Sequence, residues 1–139
     1  MRTLRDFEPV RSRYSLSAIK QIVWKLRDVE EVPAGFDRSS VINDPQSFVA
    51  AYRFLFKDEI KEKFVVAILN TANQVQAIEI VSQGTLNSSL VHPREVFRPA
   101  IVFSAGSIIL CHNHPSGNPE PSQEDLAITK QIVEAGKIL

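Results

Sequence analysis

The strongest constraint on the fold lies between residues 63 and 84. KFVVAILN is a short β-branched run ended by Asn. QVQAIEIVSQG then places apolar residues at every second position, Val75 and Ala77, before Ile78, Ile80 and Val81 shift the phase. NTANQ, between the two runs, has turn chemistry, so the segment is expected to form a β-hairpin.

The flanks read differently. Residues 1–14 are polar and mixed in charge, without clear periodicity, and are expected to be an arm. Leu16, Ile19, Val23 and Leu26 recur at helical spacing, which predicts a helix from about residue 16 to residue 28. Pro, Gly and Ser make EEVPAGFDRSS a loop. Asp44-Pro45 has the form of an N-cap followed by Pro at the first helical position, opening a helix through QSFVAAYRFLFKDE. TLNSSLV is a candidate third strand. REVFRPAIVFSAG puts Val96, Ala100 and Phe103 on one helical face, although Pro99 lacks an N–H and is expected to bend or divide that helix. SIIL is a short buried strand, and a last helix begins near Ser122. The order α, α, β, β, (β), α, β, α implies an α/β chain of mixed α+β type, built around one central sheet flanked by helices.

With 139 residues the chain is sized for one domain. Sixteen Lys and Arg balance sixteen Asp and Glu, so the chain as a whole carries no bias toward nucleic acid or anionic membrane. The single cysteine excludes an internal disulfide. No apolar run is long enough to span a membrane, and the N-terminal residues lack the apolar core of a signal peptide. A cytoplasmic location is the resulting expectation.

The chemistry concentrates at CHNHPSG, residues 111–117. On a strand, His112 and His114 point to one side, and Cys111 and Asn113 to the other. Two imidazoles are a start for a metal site, yet zinc needs more ligands than two. Asp125 follows His114 after ten residues that include three prolines and a glycine, a composition suited to a compact loop. Such a loop could return the first turn of the last helix to the histidines, and a His, His, Asp set with an open position suits zinc and hydrolysis. The bland alternative is strong. Ser122 and Asp125 also fit a capping box, the more common use of that pattern, and an isolated His-x-His is often only a polar turn. Cys111 reads most simply as a small buried residue, and Asn113 as a brace for the loop.

Taken whole, HNHPSGNPEPSQED resembles the JAMM (MPN+) metalloprotease signature, and HNHPSG together with VHPREVFRPA resembles its RadC-like JAB branch. The likeness covers roughly residues 42–139, leaving 1–41 as an N-terminal arm and helix. It implies a single JAMM/MPN-like domain with a central mixed sheet, Zn²⁺ held by His112, His114 and Asp125, and Ser122 as a hydrogen-bond donor to the reaction. It also places a glutamate at the start of a strand lining the site. Glu59, Glu62 and Glu79 are the candidates. Glu62, in the E-x-F position before FVVAILN, is preferred, with Glu79 in reserve. Without the likeness, Glu62 would read as one solvated charge in KDEIKEK.

The activity implied is hydrolysis of a peptide or isopeptide bond by a metal-activated water, with a protein or peptide as substrate. The alternative is a DNA-repair-associated protein of the RadC type, acting as a DNA-linked or non-catalytic module, although charge does not favour direct DNA binding. Relatives of this type usually continue into further strands, so truncation at the C-terminus is an expectation, and with it the possibility of a homodimer.

Overall fold

The computed structural model describes residues 26, 28–29, 32–37, 39–84 and 91–139. The arm expected over 1–14, the helix over 16–28 and the strand in TLNSSLV fall, but for Leu26, Asp28 and Val91, outside these residues. Two compact units are distinguished, Met1–Glu31 and Val32–Leu139, and every element below belongs to the second. Among the described residues no helix is long and apolar enough to cross a membrane.

Helix α1 spans Pro45–Tyr52. Asp44 caps it, accepting from the Ser47 N–H at 2.7 Å, with Pro45 in the first turn as the sequence indicated. The helix does not run on to Glu59. It passes into a 3₁₀ turn over Arg53–Phe56, whose tighter winding lets Phe54 join Tyr52 against the Phe36 ring, at centroid distances of 5.5 and 5.3 Å.

The expected hairpin is strands β1 (Glu62–Leu69) and β2 (Val75–Gly84). Its register skips between Phe64 and Val65, which face Ser82 and Ile80, so Val81 is the extra residue of a bulge. A second skip, between Ile68 and Leu69, leaves Gln76 as an extra residue, so Val75 shares its face with Ile78 while Ala77 lies on the other, which accounts for the phase shift in the sequence. Helix α2 (Pro93–Val102) follows, then strand β3 (Ser107–His112) and helix α3 (Gln123–Ile138). The sheet order is β2-β1-β3, and both pairings are antiparallel.

Alternation along β1 divides the core. Phe64, Val66 and Ile68 pack with Val96, Phe97 and Ala100 of α2 and Ile128 and Ile132 of α3. Ala67 and Leu69 face the other way, onto Ile42, Phe48 and Tyr52. Pro99 does not divide α2. Its missing N–H forgoes one bond within the helix, and burial of Val96, Phe97, Pro99 and Ala100 holds the segment helical. The central strand is wholly buried from Lys63 to Leu69, so its ends are the places where polar side chains emerge from the core.

Candidate metal centre

The site forms where β1 begins, β3 ends and α3 begins. The β1–β3 register pairs Phe64 with His112. Glu62, two residues back on β1, therefore shares the face of Phe64 and His112. On α3, Asp125, Ile128 and Ile132 are buried and fall on one helical stripe, so the packing that seats the two isoleucines also turns the carboxylate toward the sheet. An acidic residue at the head of an apolar stripe is the sequence signal that sets Asp125 apart from Glu124.

Ligand-type atoms of Glu62, His112, His114 and Asp125 all lie within 4.8 Å of one another. The two Nε2 atoms are 2.7 Å apart, with Asp125 Oδ1 3.5 Å from His112 and Oδ2 3.6 Å from His114. His114 Nδ1 lies 2.6 Å from the Asn118 carbonyl, which can only accept, so Nδ1 carries the proton. In the neutral imidazole the Nε2 lone pair then faces His112 and Asp125. Ser122 donates to Asp125 Oδ2 from both its backbone N–H and its hydroxyl, each at 2.7 Å, and its Oγ accepts from the Asp125 N–H at 3.1 Å. The capping reading of Ser122 and the proximity of Asp125 to the histidines therefore hold at once.

Two imidazole nitrogens and two carboxylates converging on one point form a donor set suited to Zn²⁺. The Asp125 oxygens stand 3.5 and 3.6 Å from the imidazole nitrogens, beyond hydrogen-bonding distance and near enough for one cation to be shared among them. A cation fits this arrangement. The mouth is an open cleft of about 320 Å³ lined by His112, His114, Gly117, Asn118 and Pro119. A larger apolar depression of about 520 Å³ between α2, β3 and α3 has no ionisable side chain in its lining, so it is not where chemistry would be sought.

The loop between the histidines and α3 is built by local turns. The Gly117 N–H donates to the His114 carbonyl at 2.9 Å, and Gly117 has φ +77°, a conformation suited to glycine. This turn brings the Asn118 carbonyl to His114 Nδ1. No side-chain pattern announces a backbone acceptor, which is why the sequence did not show it.

The remaining candidates separate clearly. Glu59 forms an ion pair with Lys63, whose side chain lies on the opposite face of β1 from Glu62. Glu79 is exposed on β2 opposite Val66, about 13 Å along the strand from the Glu62 level at roughly 3.3 Å per residue, and is not in the cluster. Cys111 packs on the α1 side of the sheet with Ala67 and Leu69, and burial pushes its thiol pKa up, the reverse of what a nucleophile needs.

Burial acts to raise the pKa of Asp125. The hydrogen bonds from the Ser122 hydroxyl and N–H, with the nearby imidazoles, outweigh it and hold the carboxyl below its ordinary value of 3.8. A folded-state pKa below the unfolded one means stability that is complete above the unfolded value and lost as pH falls through the folded value. The metal-free protein should therefore exceed Asp125→Asn in stability at neutral pH, with the gap closing below about pH 4. Urea midpoints measured from pH 6 to pH 2 check this. A gap independent of pH would mean that the ionised carboxylate contributes nothing.

The sequence profile of the RadC-like JAB domain matches residues 42–139. Similar proteins include a UPF0758 protein of Desulforamulus reducens, 50% identical over 99 residues, which are 71% of this chain and 44% of that protein. Another, from Methanosarcina mazei, is 40% identical over 124 residues, 89% of this chain and 52% of its own length. A third, from Caldanaerobacter subterraneus, is 62% identical over 79 residues, 57% of this chain and 34% of its own length. The matched part of the chain thus spans between about a third and a half of these relatives.

Proposed function

The chain belongs to the RadC-like JAB domain family, and from that premise we propose that it is a zinc-dependent hydrolase that cleaves a peptide or isopeptide bond. One observation carries the reading: Glu62, His112, His114 and Asp125 converge within 4.8 Å at the mouth of an open cleft.

His112, His114 and Asp125 are the residues to hold the metal, which when bound supplies a water of lowered pKa and a charge that polarises a carbonyl. His114 is aimed by the Asn118 carbonyl and Asp125 by Ser122, so two of the three ligands are oriented before any metal arrives. Glu62 accepts the proton of the attacking water and returns it to the departing amine. Its place at the first residue of β1 suits this work, because the carboxylate is half-buried and beside the ligands without being one of the three. Ser122 is assigned a hydrogen bond to the developing oxyanion. Its single hydroxyl proton is directed at Asp125 here, so that donation requires the proton to turn away from the carboxylate.

The test is hydrolysis of a quenched-fluorescent mixed peptide library at saturating zinc, with and without chelator. Glu62→Gln should still bind zinc and should lose at least about 100-fold of the rate, the contribution expected of a positioned proton acceptor. A Glu62→Gln protein as active as the parent would remove Glu62 from the mechanism. Salt-dependent retention of DNA, unchanged by His112→Ala and without hydrolysis, would instead turn the assignment to a DNA-linked module.

A further inference from the structure

We infer that Asn113, the residue between the two histidines, is the positioning residue for Glu62, an assignment that rests on the metal-centre reading above. Backbone pairing of β1 with β3 reaches Phe64 and His112. At the next step the Asn113 side chain takes over. Its Oδ1 accepts from the Lys63 N–H at 2.8 Å, and its Nδ2 donates to the Lys61 carbonyl at 3.1 Å.

Those two groups belong to the two peptide bonds that flank Glu62. The Lys61 carbonyl is in the peptide unit entering Glu62, and the Lys63 N–H is in the unit leaving it. Each peptide unit is planar, so holding both fixes the two torsions about the Glu62 Cα and thereby the direction of its Cα–Cβ bond. On its other edge Glu62 pairs with Gly84 of β2, so Asn113 completes the hold on the β3 side, where the backbone ladder has ended. Asn suits the position because one short planar group must both accept and donate. Asp would accept from Lys63 but set a negative oxygen against the Lys61 carbonyl.

The loop carrying His114 has fastenings of its own, the Gly117-to-His114 backbone bond and the His114-to-Asn118 bond. Loss of the Asn113 amide should therefore displace Glu62 more than the histidines. The Glu62 carboxylate lies within 4.8 Å of the other ligand atoms, so its displacement is readable as a weaker attraction for a cation, without any substrate.

A double-mutant cycle in Zn²⁺ affinity tests this, with the dissociation constant measured against a chromophoric chelator for the parent, N113A, E62A and the double variant. E62A should weaken Zn²⁺ binding by about 10-fold, the low end for a group supporting a metal site. N113A should weaken it by about 3- to 10-fold in the parent and not at all in the E62A background. Equal weakening in both backgrounds would show that Asn113 supports the histidines instead, and no weakening in the parent would show that it supports nothing at the site. Either result overturns this inference alone, whereas a parent that takes up no Zn²⁺ overturns the metal-centre reading and this inference with it. Should N113A fail to fold, the milder N113S enters the same cycle. Lys63 amide exchange, expected at least about 10-fold faster in N113S than in E62A, then reports the lost bond directly.

Discussion

Chelator-stripped protein titrated with Zn²⁺ should take up about one ion per chain, and His112→Ala close to none at the same concentrations. The expected loss in affinity is at least about 100-fold, because His112 is a proposed ligand whereas groups that merely support ligands already account for 10- to 100-fold. Its Nε2 stands at the centre of the cluster, 2.7 Å from His114 and 3.5 Å from Asp125, so no neighbour can replace it without moving a strand. Zinc at about 100 times its dissociation constant should stabilise the parent by about 2.7 kcal/mol, a shift of about 10 °C in Tm, and leave His112→Ala unmoved. Thermal melts with and without zinc measure this. A variant that binds and responds like the parent would remove His112 from the site. The metal-free form of His112→Ala should still fold, because the β1–β3 ladder is made by backbone groups that the substitution leaves in place.

Phe64→Ala should be the most damaging substitution in the core near the site, costing about 3–5 kcal/mol. Phe64 is 4% exposed on the central strand and packs with the apolar faces of α2 and α3. Its ring also stacks on His112 at a centroid distance of 6.2 Å and an angle of 12°, so truncation opens a cavity directly beneath a proposed ligand. Against a total stability of about 5–15 kcal/mol this is a large fraction, and urea unfolding at neutral pH without metal would show it as a lowered midpoint. A loss below about 1 kcal/mol would mean that the ring is not packed as described. Zinc uptake by the surviving folded fraction should also weaken, which separates this variant from core substitutions on the α1 side of the sheet, such as Leu69→Ala.

The central hairpin and the cap of α1 were legible because their causes are local. The β-branched run of β1 and the turn residues after it mark the hairpin locally, although the skip at Gln76 sets Val75 and Ala77 on opposite faces, which their spacing alone did not indicate. Asp44 and Pro45 act within the first turn of their own helix. The extent of α1 was not legible, since the change to a 3₁₀ turn answers to Phe36, an aromatic contact remote in sequence. Pro99 misled for a similar reason: the local rule against proline in a helix is outweighed by the burial of the surrounding segment, which only the packed domain reveals.

The site divides along the same line. From sequence, the spacing of His112, His114, Ser122 and Asp125 offered a capping box and a ligand set, of which the residues alone favoured the cap and the family likeness implied the ligands. The structure shows the capping box and Asp125 beside the histidines at once, because Ser122 binds the oxygen of Asp125 that faces His114 while its own Oγ receives the Asp125 N–H. Choosing among Glu59, Glu62 and Glu79 required the strand register. Glu59 is drawn to Lys63, Glu79 stands exposed up the hairpin, and Glu62 joins the histidines and Asp125. The chemical groups and the local elements that carry them could be read from the residues alone, since helix caps and turns depend on neighbours within a few residues. Which groups meet is a property of the packed domain. Residues 62, 112 and 125 are brought together by a ladder and a helix stripe whose positions depend on burying Phe64, Ile128 and Ile132 in one core, and no single segment contains that information.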